Sequence, residues 1–160
     1  MLFKNVLVPY DESEHAAAAL HLAIDLVGDD PEATIRVVTV VSNDIMPPSA
    51  LSAAVAFDTS PVSYENYEAL LSHIAERSDR ELHDDVAWLL GMDLQSIHAK
   101  LVIETRLAGS PVEGITNYAM DHRCDLIVMG RRGLGALRGM LGSVSYGVLR
   151  SADIPVLTVK

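Results

Sequence analysis

Cysteine is almost absent from this chain of 160 residues, where Cys124 stands alone. An intramolecular disulfide is therefore excluded, and neither a CxxC pair nor a Cys/His spacing offers a metal site. The surrounding Cys124-Asp125-Leu126-Ile127-Val128-Met129 reads as the entry into a buried strand, where a small apolar residue packs well. Positive charge is scarce too. There are 12 Lys and Arg against 22 Asp and Glu, giving a formal net charge of -10 and a pI of about 4.8. Such a surface repels a phosphodiester backbone, which argues against a nucleic-acid partner. It does not exclude a small anion, because local main-chain amides and a few arginines outweigh a distant field. Long apolar runs are missing, so no segment is expected to span a bilayer. The opening Met1-Leu2-Phe3-Lys4-Asn5-Val6 reads as a strand onset rather than a leader, and the cytoplasm is the expected compartment. The pattern GxxxxGK[ST] does not occur, which removes the Walker-type NTPases.

What remains is an ordinary globular balance, 49% hydrophobic and 21% charged, of a length that suits one domain over residues 1–160. Strand and helix patterns alternate throughout. Val6-Leu7-Val8-Pro9 is an apolar run of buried-strand type. Asp11-Glu12-Ser13-Glu14 supplies helix-start chemistry, with Asp11 or Ser13 able to cap, and Leu20, Ala23, Ile24 and Val27 form an apolar helical face. Ile35 to Val41, rich in β-branched residues, is a second strand. Residues 43–63 carry Pro47, Pro48 and Pro61 among small residues and read as a long irregular excursion. Tyr67, Leu71, Ile74, Leu82, Val86 and Leu89 then recur at helical spacing, with His73 and His83 assigned to the solvated surface. Ile97 to Thr105 alternates as a strand, with Ile97, Ala99, Leu101 and Ile103 on one face. Gly109-Ser110-Pro111 places a capping serine before a proline at the first helical position, opening a helix to about Arg123. Leu126 to Met129 is a further apolar strand, Val144 to Arg150 a last helix and Pro155 to Val159 a last strand. This alternation predicts an α/β fold, a parallel sheet with helices on both faces.

Ligands of such sheets sit beyond the carboxyl ends of the strands, where the strand order reverses. Two segments lie there: Pro9-Tyr10-Asp11 after the first strand, and Gly130 onward after the fourth. The stretch from Met129 to Ser145 holds five glycines, which let the backbone approach a ligand without a Cβ in the way. It ends at Gly142-Ser143 and opens a helix, so unpaired amides and serine hydroxyls point ahead of it. Arg131, Arg132 and Arg138 add positive charge to an acidic protein. The run Gly133-Leu134-Gly135-Ala136-Leu137-Arg138-Gly139 is only superficially a dinucleotide fingerprint. That motif belongs after a first strand, and here one short helix and one strand remain.

Taken together, these segments resemble the universal stress protein family over essentially the whole chain. The resemblance rests on Val6-Leu7-Val8-Pro9-Tyr10-Asp11-Glu12-Ser13, Gly109-Ser110-Pro111, Asp125-Leu126-Ile127-Val128-Met129-Gly130, the loop ending in Gly142-Ser143, and Ile154-Pro155-Val156-Leu157-Thr158-Val159. It implies a single open, doubly wound, five-stranded parallel sheet that is Rossmann-like, of the adenine nucleotide alpha-hydrolase-like type. It also implies a homodimer through Pro155 to Val159 and a stress-response role. The ligand implied is an adenine nucleotide, ATP with or without a divalent ion such as Mg or Mn. Carried over by position, Asp11 would contact the adenosine end, with Pro9 and Tyr10 shaping that wall and Val40 packing on adenine. Gly130, Arg132 and Gly133 would line the ribose and phosphate path, Gly142, Ser143, Val144 and Ser145 would hold the phosphates, and Met129 would be a further nucleotide contact.

The ATP-binding branch is marked by G-x₂-G-x₉-G-[ST], and here eight residues, Leu134 to Leu141, separate Gly133 from Gly142. A glycine-rich loop that absorbs the deletion keeps the chain in the binding branch, which the retained Ser143 and Ser145 favour. Displaced amides would instead make it a non-binding dimeric scaffold. Slow ATP hydrolysis is a third reading, but it needs a positioned base, and no spacing singles out Asp11 or any histidine.

Overall fold

The computed structural model describes residues 2–42, 64–133 and 141–160, without the side chains of 64–67 and 92–94. The expected excursion over 43–63 lies outside the described residues. The chain runs β1 (Asn5–Pro9), α1 (Glu14–Val27), β2 (Thr34–Ser42), α2 (Tyr64–Leu90), a 3₁₀ segment (Gly91–Ser96), β3 (Lys100–Ala108), α3 (Pro111–Asp121), β4 (Leu126–Gly130), α4 (Ser143–Ser151) and β5 (Val156–Val159). All strands pair in parallel in the order β3-β2-β1-β4-β5. The five-stranded, doubly wound sheet is therefore as the sequence predicts.

Side-chain alternation along the central strands divides the core in two. Val6, Val8, Ile35, Val37, Leu126 and Val128 face one layer, where Ala19, Leu20, Ala23 and Val27 of α1 and Leu82, Val86 and Leu90 of α2 cover them. Leu7, Val38, Ile127 and Met129 face the other, under Ile115, Tyr118 and Ala119 of α3 and Val148 of α4. β1 and β4 are buried on both faces, which is why their sequences are continuous apolar runs. Cys124 packs in the second layer, where burial pushes its thiol up to about 11. His73 and His83 are exposed, as expected.

One expected boundary is displaced. The strand predicted over 97–105 is a strand over Lys100–Ala108. Ile97, Ala99, Leu101 and Ile103 do share the first core layer, so the face is as expected. The ladder starts later because β2 begins at Thr34, opposite Lys100. The amides of His98 and Ala99 instead donate to the Gly28 carbonyl, at 2.8 and 2.9 Å. At the other end β3 continues to Ala108 because β2 supplies partners as far as Ser42.

Candidate functional site

The sheet order reverses between β1 and β4, which pair directly although α1, β2, α2, β3 and α3 lie between them in the chain. Consecutive connections leave the two strands in opposite directions, and a crevice opens at their carboxyl ends. Its first wall is the β1 exit. The Tyr10 amide donates to the Val38 carbonyl at 2.9 Å, and the Thr39 hydroxyl donates to the Tyr10 carbonyl at 2.9 Å. Burial, followed by the nearby carboxylates of Asp85, Glu12 and Asp11, raises the Tyr10 phenol, which stays protonated at neutral pH.

The chain then turns into α1. Glu12 takes a left-handed φ of 63°, and Ser13 caps the helix by accepting the Ala16 amide at 3.1 Å. Of the two caps the sequence allows, Ser13 takes the position. Asp11 sits one shell out, its Oδ1 accepting from the Ser13 hydroxyl at 2.6 Å and the Ser13 amide at 3.2 Å. Its Oδ1 is thus tied to the cap residue, and Asp11 lines the crevice from there.

The second wall is the β4 exit, which must pass very close to the first. A Cβ on Gly130 would stand 2.8 Å from the His15 Cβ and 2.9 Å from its carbonyl carbon. A Cβ on Gly133 would lie 2.2 Å from Asp11 Oδ2. These two glycines let the β4 exit lie flat on the start of α1. Between them, the Arg131 amide donates to the Val159 carbonyl at 2.7 Å. The chain returns at Gly142, whose amide donates to the Arg131 carbonyl at 2.9 Å. The amides of Ser143, Val144 and Ser145 precede the first i to i−4 bond of α4, made by Tyr146 to the Gly142 carbonyl, so the helical ladder gives them no partner.

These walls enclose a cavity of about 420 Å³. Pro9, Tyr10, Asp11 and Val40 line it from the β1 and β2 exits, and Met129, Gly130, Arg132 and Gly133 from the β4 exit. Gly142, Ser143, Val144 and Ser145 close it at the start of α4. Every residue singled out from the sequence as a ligand contact is thus brought to one cavity. Sequence reasoning missed Ala16, Val38, Thr39, Pro111 and Ile115, which also line it. Val38 and Thr39 are the neighbours of Val40 at the β2 exit, and that proximity was a usable signal. Ala16, Pro111 and Ile115 arrive from the first two turns of α1 and α3, and their approach depends on helix packing that local patterns do not encode. Arg131 does not line the cavity, and Arg138 lies outside the described residues. Among the described residues, no three His, Cys, Asp or Glu side chains converge as a metal-ligand set.

The fold and the cavity define a class: an open α/β domain with an apolar slot and an amide-lined helix start at its strand switch point. Comparison with known proteins makes this specific. The sequence model of the universal stress protein family matches residues 2–160, and the chain belongs to that family. A universal stress protein of Thermus aquaticus is 30% identical over 162 residues, covering 99% of this chain and 100% of the relative. Among solved structures, MJ0577 of Methanocaldococcus jannaschii superposes with a TM-score of 0.73 at 24% identity, covering 100% of this chain and 97% of that one. The universal stress protein from Archaeoglobus fulgidus in complex with dAMP has a TM-score of 0.56 at 17% identity, each chain being covered to 100%. No helix among the described residues is long and apolar enough to cross a membrane.

Proposed function

We propose that the chain is a cytoplasmic regulatory module of the stress response that binds an adenine nucleotide, ATP in the first instance, in the crevice between β1 and β4. One observation carries this reading: a single cavity joins an apolar slot to helix-start amides that lie outside the helical ladder. Val38, Val40, Pro111, Ile115 and Met129 offer the flat, dry surface that suits a base. β2 also runs past Val38, the last of its residues paired with β1 (opposite Pro9), so among the described residues the β1-facing side of its end has no strand partner. The start of α4 supplies N–H donors and the positive end of a helix dipole for phosphate, and the Asp11 carboxylate can accept hydrogen bonds from the adenosine end. A volume of about 420 Å³ lies within the range of small-molecule sites. The dAMP complex of the Archaeoglobus relative supports an adenine nucleotide over other anions. A Mg or Mn ion accompanying the nucleotide would be carried on the ligand's own phosphates.

Thermal unfolding with ATP tests the reading. At a hundredfold excess over Kd, binding stabilises by about 2.7 kcal/mol, which raises the midpoint by roughly 5–10 °C. An unchanged midpoint at millimolar ATP, with no nucleotide carried through purification, overturns it in favour of the non-binding scaffold.

The homodimer rests on a separate feature. β5 is a sheet edge, Leu157 on it is 39% exposed, and Tyr146 and Leu149 of the adjoining α4 are 59% and 43% exposed. An apolar edge of this kind is normally covered, and a twofold pairing of β5 with its copy covers it. Sedimentation at micromolar concentration should give a dimer, and Leu157→Asp should give a monomer.

A further inference from the structure

The eight-residue spacing between Gly133 and Gly142 raises a question that the structure answers at its ends rather than along its length. Two groups of the returning chain converge on one carbonyl. The Gly142 amide donates to Arg131 O at 2.9 Å, and the Ser145 hydroxyl donates to the same oxygen at 2.7 Å. The hydroxyl also lies 3.0 Å from the Gly142 carbonyl. Ser145 is only 2% exposed, and a hydroxyl has a single proton to donate. That proton is already spent inside the protein. The Arg131 peptide is itself anchored, since its amide donates to Val159 O at 2.7 Å in β5. A Cβ on Gly142 would stand 3.3 Å from the Arg132 Cα and 3.2 Å from the Ser145 Oγ, so the two chain segments are in close contact at this point.

We infer that Ser145 is a positioning residue of the anion site: its hydroxyl clasps the start of α4 to the Arg131 carbonyl, fixing the helix amides relative to β4 independently of the length of the intervening loop. The inference rests on the nucleotide reading for its consequence, though not for the clasp itself. A loop whose two ends are bonded to each other transmits little of an insertion or deletion to the groups outside the closure. Ser143 differs from Ser145 in this respect. It is exposed, lines the same cavity, and has no part in the bond to the Arg131 carbonyl.

The test separates the clasp from the ligand. In the nucleotide-free protein, Ser145→Ala should speed hydrogen exchange of the Gly142 amide by about tenfold or more, and Ser145→Thr should restore protection. With ATP, Ser145→Ala should raise Kd about fivefold, and Ser145→Thr should return it to within about twofold of the parent. A glycine inserted after Ala136, which restores the nine-residue spacing, should change Kd less than about twofold alone but several-fold more in the Ser145→Ala background. Unchanged Gly142 exchange in Ser145→Ala overturns the clasp whether or not nucleotide binds. Effects of the insertion and of Ser145→Ala that simply add also overturn it, and would make the hydroxyl a direct ligand. Absence of ATP binding by the parent protein removes the nucleotide reading alone, and the exchange measurement still decides the clasp.

Discussion

The two ends of the sheet are treated in opposite ways. At the amino ends of the strands, polar groups are tied to one another. The Asp125 carboxylate accepts the amides of Lys4 and Asn5 at 2.8 and 3.1 Å. The Asn5 side chain donates to the His122 and Arg123 carbonyls at 2.7 and 3.2 Å while accepting from Arg36 Nε at 2.9 Å. The carboxyl ends use glycine instead, and leave the first amides of α4 outside the helical ladder. A closed end supplies stability, while an open end suits a binding site, the trade commonly found where a site is built on a fold.

Substitutions at the two ends should therefore separate stability from binding. Asn5→Ala has the largest expected effect. It strands two carbonyls and a guanidinium, and should cost about 2–3 kcal/mol in urea unfolding with nucleotide affinity within about twofold. A comparable loss of affinity in the folded variant would show that the two ends are coupled. Gly133→Ala should do the reverse. Its Cβ displaces the Asp11 carboxylate, a movable group at a chain tip, so ATP should bind about tenfold more weakly while the melting midpoint moves by roughly 2 °C or less. If stability falls and affinity holds, the open end is structural.

The smallest effect concerns pH. Tyr118 donates to Glu104 Oε2, and burial, reinforced by that bond and opposed by Arg36, pushes its phenol up to about 12. A folded value above the ordinary 10 means that the native state holds this proton more tightly. The resulting stability is fully present below pH 10 and is lost as the pH rises towards 12. Tyr118→Phe should flatten that alkaline fall in the urea midpoint and leave binding at neutral pH unchanged.

Much of this was legible in the sequence because it is local. Apolar runs marked β1 and β4, Ser110-Pro111 marked the start of α3, and glycine spacing marked the β4 exit. What was not legible depends on partners. β3 takes its limits from β2, so a pattern of alternation beginning at Ile97 revealed the face and not the ladder. Asp11 and Ser13 can both cap in isolation, and the choice follows from where the helix begins: Glu12 turns at positive φ and α1 starts at Glu14, which leaves Ser13 at the cap. Ser145 looked like a phosphate contact because a serine in a helix's first turn is exposed to whatever lies ahead. Only its burial against Arg131 shows where its proton goes.

The pairing of β1 with β4 also has a consequence for the order of events. The bond from Lys4 to Asp125 closes over 121 residues, and the Arg131 peptide is held by Val159, in the last strand. Contacts so distant in sequence carry a loop-closure cost that slows folding. On a ribosome, α1 and β2 can emerge and collapse while the crevice still lacks its second wall. The pocket thus needs both walls, drawn from segments far apart in the chain, and a partly folded molecule lacks it.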